Sequence, residues 1–222
     1  MTTVSTALRQ VLAGLAVLLA LTVVLGVAYP AAVWGVSRLG AHSAEGSALV
    51  DADGCVVGSA LTAVDPVVAD GQPDPFFHPR VTGSLTGGAD GGPDAFAAGD
   101  PSAALPLNQG PSSELLAAMV DARRAAVAQR ENVDPAEVPV DAVTGSGSGV
   151  DPDISPAYAA LQVSRVAAAT GLSDAEVRAR VQENTSGRTL GVLGEPAVHV
   201  PALNVALGLT APGCGTSATD GG

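Results

Sequence analysis

Hydrophobic and polar positions divide the chain into an apolar N-terminal stretch and a mixed remainder. Residues 11–36 form an uncharged run of 26 residues. As a helix this run spans about 39 Å, more than the roughly 30 Å of a bilayer's hydrocarbon core. A cleaved signal peptide has an apolar stretch of only about 7–15 residues and ends in a small-x-small site, which this run lacks. The pattern predicts an uncleaved transmembrane helix after a short flank, residues 1–10.

The distal end of the run carries residues typical of a membrane boundary. Tyr29 and Trp34 favour the membrane–water interface, and Pro30 predicts a kink or a break in the last turns. Arg9 and Arg38 lie on opposite sides of the run, so positive charge hardly distinguishes the two orientations. The short N-terminus and the long acidic remainder favour an extracytoplasmic C-terminal domain.

Beyond the apolar run, the pattern predicts one α+β domain, with helices and strands mixed, over residues 37–211. Two short apolar runs, residues 47–50 and 56–62, flank a turn sequence at residues 51–54 and predict a β-hairpin. Residues 81–110 are rich in Gly, Asp, Pro and Ser and predict a loop. The tail, residues 212–222, predicts disorder.

Capping residues mark the predicted helices of this domain. Ser112 or Ser113 caps a helix that ends near Asn132. A second helix is predicted from Ser155 and Pro156 to Thr170, with Gly171 as its C-cap. A third begins with a Ser173–Glu176 capping box and ends at Gly187. A strand over residues 197–200 and a short helix from Pro201 to Leu207 complete the domain.

Charge separates the two parts of the chain and excludes some functions. All 22 acidic residues follow position 44, the net charge is −12, and all ten basic residues are arginine. Nucleic-acid binding needs clustered Lys and Arg, so this balance argues against it. A nucleotide-hydrolysing P-loop needs a lysine that the chain lacks. The acidic surface serves solubility, or attracts cations.

No catalytic constellation is visible in the sequence. The Gly-Ser run at residues 145–149 does not fit the G-x-S-x-G nucleophile elbow, and the three histidines lack metal-ligand spacing. Asp151 and Asp153 bracket Pro152, where a turn role is favoured over cation binding. Cys55 and Cys214 bracket the domain, and two interpretations stay open: a disulfide that ties the ends of an extracytoplasmic domain together, or two unrelated thiols.

One segment is too specific to be generic. Residues 144–156, TGSGSGVDPDISP, closely resemble the signature T-x-S-G-S-G-L-D-P-H-I-S-P of the C subunit of Kdp-type potassium-transporting ATPases. Further matches follow the family pattern in chain order. Before the signature lies the loop at residues 108–112, and after it come Gln162 and residues 165–167. The G-R-x-L-G run at residues 187–191, the L-G-E-P run at residues 193–196 and L-N-x-A-L at residues 203–207 complete the set. Departures are local: residues 62–66 and 77–82 differ from the pattern, Asp153 replaces a common His, and His199 replaces a common Asn.

The resemblance implies a non-catalytic subunit with one transmembrane helix and an α/β domain in the cell membrane. Its implied partners are a potassium-translocating subunit, a P-type ATPase subunit and a small single-span subunit, and the complex takes up potassium at the expense of ATP. The subunit either stabilises the assembly or acts as a catalytic chaperone that raises the ATP affinity of the ATPase subunit. ATP therefore enters through the partner, and potassium is the transported ion.

Candidate site residues follow from the same resemblance. A Gln at the Gln162 position is implied to contact ATP, and Ser146, Ser148 and Asp151 belong to the signature loop. From the residues alone, that loop is a turn that delivers Asp151 to a helix start capped by Ser155, so a structural role is favoured over ligand contact. The alternative for the whole chain is a membrane-anchored extracytoplasmic binding or sensory domain unrelated to an ATPase.

Overall fold

The computed structural model describes residues 2–52, 54–69, 71–84, 94–97, 102, 105–106 and 108–209. The chain divides into two units, Met1–Ser47 and Ala48–Gly222. The first unit is helical, and the second mixes helices with two small sheets. This architecture confirms the predicted α+β class with an apolar N-terminal helix.

The N-terminal unit is a nearly continuous helix. Helix α1 (Thr2–Val23) passes through a π-helical turn (Val24–Ala28) into α2 (Tyr29–Ser37), and a 3-10 turn (Arg38–Gly40) precedes α3 (Ala41–Ala44). Residues Val4–Ala44 are long and apolar enough to cross a membrane, and none of the apolar window is buried within the chain. The π turn lies directly before Pro30, where the missing N–H interrupts the α-helical bonding and a wider turn accommodates the ring.

The second unit opens with the predicted hairpin. Strands β1 (Ala48–Val50) and β2 (Val56–Ser59) pair antiparallel. The turn between them is closed by Asp51, whose Oδ1 accepts from the Cys55 N–H at 2.9 Å. Cys55 is disulfide-bonded, whereas Cys214, the other cysteine of the sequence, lies outside the described residues.

Helices follow at the predicted caps. Ser113, the second of the two candidates, caps α4 (Glu114–Glu131), and Asn132 ends it in the left-handed conformation. Ser155 caps α6 (Pro156–Thr170) and Gly171 ends it, as predicted. The capping box of Ser173 and Glu176 is also confirmed. Between α4 and α6 lie a 3-10 turn (Pro135–Glu137) and α5 (Val140–Val143).

A three-stranded antiparallel sheet corrects one predicted boundary. Strand β5 (Ala197–His199) lies between β3 (Asp153–Ile154) and β4 (Thr185–Ser186). Helix α7 (Asp174–Glu183) consequently ends at Glu183, not at the predicted Gly187, because the chain leaves the helix to pair with β5. Helix α8 (Val200–Ala206) follows β5 with His199 as its N-cap, one residue before the predicted start.

The core of this unit is built on the inner faces of α4, α6, α7 and α8. It consists mainly of valine and alanine, with Phe77, Tyr158 and Leu203 as its large fully packed members. Of the predicted loop at residues 81–110, the described positions form one isolated bridge, between Ser84 and Asp94. The predicted disordered tail lies outside the described residues.

Candidate functional site

The signature loop is organised around the hydroxyl of Ser146. This buried oxygen accepts hydrogen bonds from the backbone N–H groups of Gly149 at 2.9 Å and Asp151 at 3.2 Å. The N–H of Ser148 also points to it, at 3.3 Å, and the Ser148 hydroxyl in turn accepts from the Val150 N–H. Ser146 therefore serves as an internal turn centre, a role that the sequence analysis did not assign to it.

Asp151 fixes the exit of the loop. Its Oδ1 accepts from the N–H of Asp153 at 3.0 Å, and its Oδ2 pairs with the Arg80 guanidinium. Burial raises the pKa of Asp153 and the Asp151 charge adds to this rise, although His199 and Arg80 oppose it. Within the described residues no group of three His, Cys, Asp or Glu side chains is arranged to hold a metal ion. The Asp151 carboxylate thus shapes the turn by holding both the backbone N–H of Asp153 and the Arg80 guanidinium.

The start of α6 is tied to α5 by one carboxylate. Asp141 accepts from both the N–H and the hydroxyl of Ser155, each at 2.8 Å. The Ser155 hydroxyl oxygen in turn accepts from the N–H of Tyr158 at 3.0 Å. The loop therefore enters α6 through a chain of charge-assisted and neutral hydrogen bonds that begins on α5.

Gln162, the residue for which the resemblance implies an ATP contact, lies fully buried on α6. Its Oε1 accepts from the His78 N–H at 2.8 Å, and its Nε2 donates to the His78 carbonyl at 3.2 Å. Asn204 on α8 makes the same pair of bonds to Phe77, at 2.8 and 2.9 Å. Two side-chain amides thus replace a neighbouring strand for the extended segment at residues 76–79.

A buried charge network surrounds this segment. Arg165 donates to the Glu131 carboxylate at 2.9 Å and to the carbonyls of Asp74 and Phe76, and its NH2 group donates to Gln162 at 3.0 Å. The side chain of Glu131 has no exposed surface, and it also accepts from Arg130 at 2.7 Å. The network therefore joins the segment before Phe76 to α4 and α6 in one piece.

His78 closes the network on its outer side. Its Nδ1 lies 2.7 Å from a carboxylate oxygen of Asp65, and its Nε2 lies 2.7 Å from one of Asp74. Burial opposes ionisation of Asp74, but the hydrogen bond and charge of His78, together with Arg165, outweigh it and lower the pKa of Asp74. His78 is almost wholly buried, and both of its ring nitrogens face carboxylates.

Arg123 on α4 is the largest fully buried side chain. Its guanidinium donates to three carbonyls, those of Ala95 at 2.8 Å, Val143 at 3.3 Å and Thr82 at 2.5 Å. Burial lowers its pKa. Within the described residues it makes no salt bridge, so carbonyl dipoles alone compensate the charge.

Sequence patterns alone do not predict this buried network. Arg165 belongs to a family motif, whereas Glu131 and Asp74 belong to none of the motifs identified in the sequence. No local signal marks Glu131 as buried, because charged residues are mostly exposed and neighbouring residues of a helix do not face each other. Arg188 and Glu195, from the two family motifs near the C-terminus, lie 2.6 Å apart, and both are exposed.

A groove of about 390 Å³ lies between the hairpin and α8. Its lining is apolar apart from Asp65, Asn204 and the hydroxyls of Ser59 and Thr62. Asn204 is already bonded to the backbone of Phe77. The groove offers apolar surface rather than reactive groups.

Comparison with known proteins gives one consistent result. The profile of the family described as KdpC, K+-transporting ATPase, c chain, matches residues 11–208. A protein of Kineococcus radiotolerans named potassium-transporting ATPase KdpC subunit is 46% identical over 209 residues, which is 92% of this chain and 96% of that protein. Proteins of the same name from Mycobacterium tuberculosis and Streptomyces coelicolor are 42% and 43% identical, over 90% and 96% of this chain and 97% and 99% of their own. An unrelated anchored sensory domain does not account for these matches.

Proposed function

Since the chain belongs to the KdpC family, the c chain of K+-transporting ATPases, we propose that it is a non-catalytic accessory subunit of a high-affinity, ATP-driven potassium uptake complex. The match over residues 11–208 carries this proposal, because it includes both the apolar helix and the mixed domain. The chain's contribution is to stabilise the assembly, while ATP and potassium are handled by its partners.

The partners are a potassium-translocating subunit, a P-type ATPase subunit and a small single-span subunit. The geometry supports a structural contribution from this chain, since the signature-loop side chains are spent on internal bonds: Ser146 on the turn and Asp151 on Arg80. The apolar helix anchors the domain in the same bilayer as the pump, which keeps the domain at a high effective concentration beside its partners.

The mixed domain is placed on the extracytoplasmic side in this proposal. The disulfide at Cys55 supports that side, because cytosolic thiols are kept reduced. All 22 acidic residues follow the apolar run, and a negative surface there attracts potassium ions toward the pump.

The chaperone form of the proposal assigns an ATP contact to Gln162. In this structure the Gln162 amide is bonded to the backbone of His78 and to Arg165. A nucleotide contact requires that amide to leave the 76–79 segment, and it also requires a cytoplasmic domain. The assembly role needs neither change, and for that reason we favour it.

Co-purification tests the proposal directly. The P-type ATPase subunit is affinity-tagged and extracted in mild detergent from cells with and without this chain. We expect the chain to elute with the pump subunits, and potassium-stimulated ATP hydrolysis to fall when it is omitted, while the isolated chain hydrolyses no ATP. A pump that assembles and hydrolyses ATP equally well without the chain contradicts the proposal.

Orientation has its own test. Ala179 lies on the exposed face of α7, so an Ala179→Cys variant presents a thiol without disturbing the core. Labelling by a membrane-impermeant maleimide in intact cells or spheroplasts is expected. Labelling that occurs only after permeabilisation would place the domain in the cytoplasm.

A further inference from the structure

The groove between the hairpin and α8 is apolar surface that the described residues leave open. Val57 of β2 lines it on the hairpin side, and Leu209 lines it just after the end of α8. Two further lining side chains remain well exposed, Val64 at 51% and Val67 at 87%. Exposed aliphatic side chains that border one groove favour contact with a further apolar segment.

The chain leaves α8 at the wall of this groove. Gly208 has φ +74°, and its N–H donates to the Val205 carbonyl at 2.9 Å. The N–H of Leu209 donates to the Asn204 carbonyl, also at 2.9 Å. These two bonds form a Schellman motif, which ends the helix and fixes the direction of the exit. Residue 210 therefore starts from a position that is held against the groove.

The hairpin carries a bonded cysteine on the side of the same groove. Cys55, Val57 and Ser59 occupy alternate positions, which share one face of a strand, and Val57 and Ser59 both line the groove. Cys55 is held in place by Asp51: its N–H donates to the Oδ1 of Asp51 at 2.9 Å, and its carbonyl accepts from the Asp51 N–H at 3.0 Å. Cys55 is disulfide-bonded, and no described cysteine is free.

Chain length limits the path of the residues between the groove and a partner for Cys55. The other cysteine of the sequence is Cys214, five positions after Leu209. Five residues reach at most about 18 Å when fully extended, and a disulfide adds about 5–6 Å between its two Cα atoms. The intervening sequence is T-A-P-G, and the residue before a proline favours extended backbone. A connection this short has little slack to avoid the groove that lies between its ends.

We propose that residues 210–214, here called the C-terminal strap, cover the groove and are fixed there by a disulfide between Cys214 and Cys55. Ala211 and Pro212 supply the apolar surface that meets the aliphatic lining. Formation of the bond removes one proton and one electron from each thiol, and both electrons pass to the disulfide of an oxidant protein, which becomes a dithiol. The inference does not depend on the pump, because it uses only the groove and the two cysteines.

Peptide mapping of the full chain tests the bond. Free thiols are alkylated in the membranes before extraction into detergent, so that thiol–disulfide exchange cannot create the bond afterwards. We expect an unreduced monomer whose digest contains a pair of peptides joined through Cys55 and Cys214. A bond between the Cys55 residues of two chains, or alkylation of both cysteines, overturns the proposal and leaves the function proposed from the family match untouched.

Hydroxyl-radical footprinting of the same full chain tests the cover. Val140 is 73% exposed on α5 and does not line the groove, so it is an internal reference of the same residue type for Val64 and Val67. We expect both groove valines to react more slowly, relative to Val140, than their exposed fractions alone would give. Ala211→Asp keeps both cysteines but puts a charge on the strap, and since a charge does not enter an apolar groove, the relative rates should rise at least about threefold. Ala218→Asp makes the same change beyond Cys214 and is the matched control.

Each outcome decides for or against the strap. If Val64 and Val67 react in the wild type as fast as their exposure predicts, the strap does not cover the groove and the inference is wrong. If they are protected equally in the wild type and in Ala211→Asp, a second copy of the chain or a small apolar molecule is the occupant, and the inference is likewise wrong. Protection that is lost in Ala211→Asp and kept in Ala218→Asp supports it.

Discussion

The side-chain amide of Gln162 makes both hydrogen bonds of a strand pair with the backbone of His78. The amide of a helical glutamine thereby satisfies the two backbone groups that a neighbouring strand would otherwise bond. The segment that contains His78 has no other ladder partner among the described residues, and its backbone is buried. Gln162, together with Asn204 at Phe77, thus determines where this segment lies.

Replacing Gln162 tests this role. Gln162→Ala leaves the buried N–H and carbonyl of His78 without partners and opens a cavity, so we expect the free energy of unfolding to fall by about 2–4 kcal/mol. Urea unfolding followed by circular dichroism measures the change. Gln182→Ala, at an exposed position of α7, is the control and should change stability little. A variant that loses nucleotide affinity in the pump while keeping full stability would favour the chaperone role instead.

The two serines of the signature loop are predicted to differ. Ser146 accepts backbone bonds from three residues and is buried, so Ser146→Ala should cost about 1–3 kcal/mol through unsatisfied N–H groups. Ser148 is exposed, and Ser148→Ala should cost well under about 1 kcal/mol. Both variants are measured in the same denaturant titration. Equal effects would show that the turn is not centred on Ser146.

The ion pair of Arg165 and Glu131 should behave as a buried pair. Arg165→Met leaves the fully buried Glu131 carboxylate with Arg130 alone, and a loss of about 3–5 kcal/mol is expected. The double variant Arg165→Met, Glu131→Leu removes both charges and should recover part of that loss. A double-mutant cycle in urea gives the coupling energy. If the two single losses simply add, the pair is not coupled in the way its geometry indicates.

Local signals explain what the sequence predicted and what it did not. The caps at Ser155, Gly171 and Ser173 are confirmed, since each acts on backbone groups within four residues. Strands β3 and β4 have two residues each, too short for any alternation to register. Their pairing with β5 is a tertiary effect, and it moved the end of α7.

The candidate site likewise has a part that local sequence predicts and a part that it does not. Ser, Gly and Asp chemistry within six residues predicts a turn in the signature loop, and the structure shows one; the carboxylate at the start of α6, however, is Asp141 and not the expected Asp151, which pairs with Arg80. The network around Arg165 joins Glu131, 34 positions earlier, to the Asp74 carbonyl, 91 positions earlier. No periodicity in one sequence connects residues that far apart.

Low pH should reduce the free energy of unfolding of the domain, because Asp74 becomes protonated. Its pKa is lowered in the folded state, so it contributes stability that is present above its unfolded pKa of about 3.9 and is lost as pH falls through the folded value. Asp74→Asn removes that contribution. We expect the variant to be less stable at neutral pH, with a flatter decline of stability below about pH 4. Unfolding free energies between pH 2 and 7, all compared with the wild type, check this; parallel curves would contradict it.

Alanine substitutions at two glycines of the signature loop are predicted to differ in their effect on stability. Gly149 has φ +85°, and a Cβ there would lie 3.1–3.2 Å from the backbone of Leu105 and the hydroxyl of Thr82. Gly147 has an ordinary φ and open space around it. Gly149→Ala should therefore cost at least about 1–2 kcal/mol from backbone strain alone, and crowding adds to that cost. Gly147→Ala should be neutral or slightly stabilising, because alanine restricts the unfolded chain. Thermal unfolding of the two variants side by side measures the difference, and similar midpoints would mean that the loop readily takes another shape.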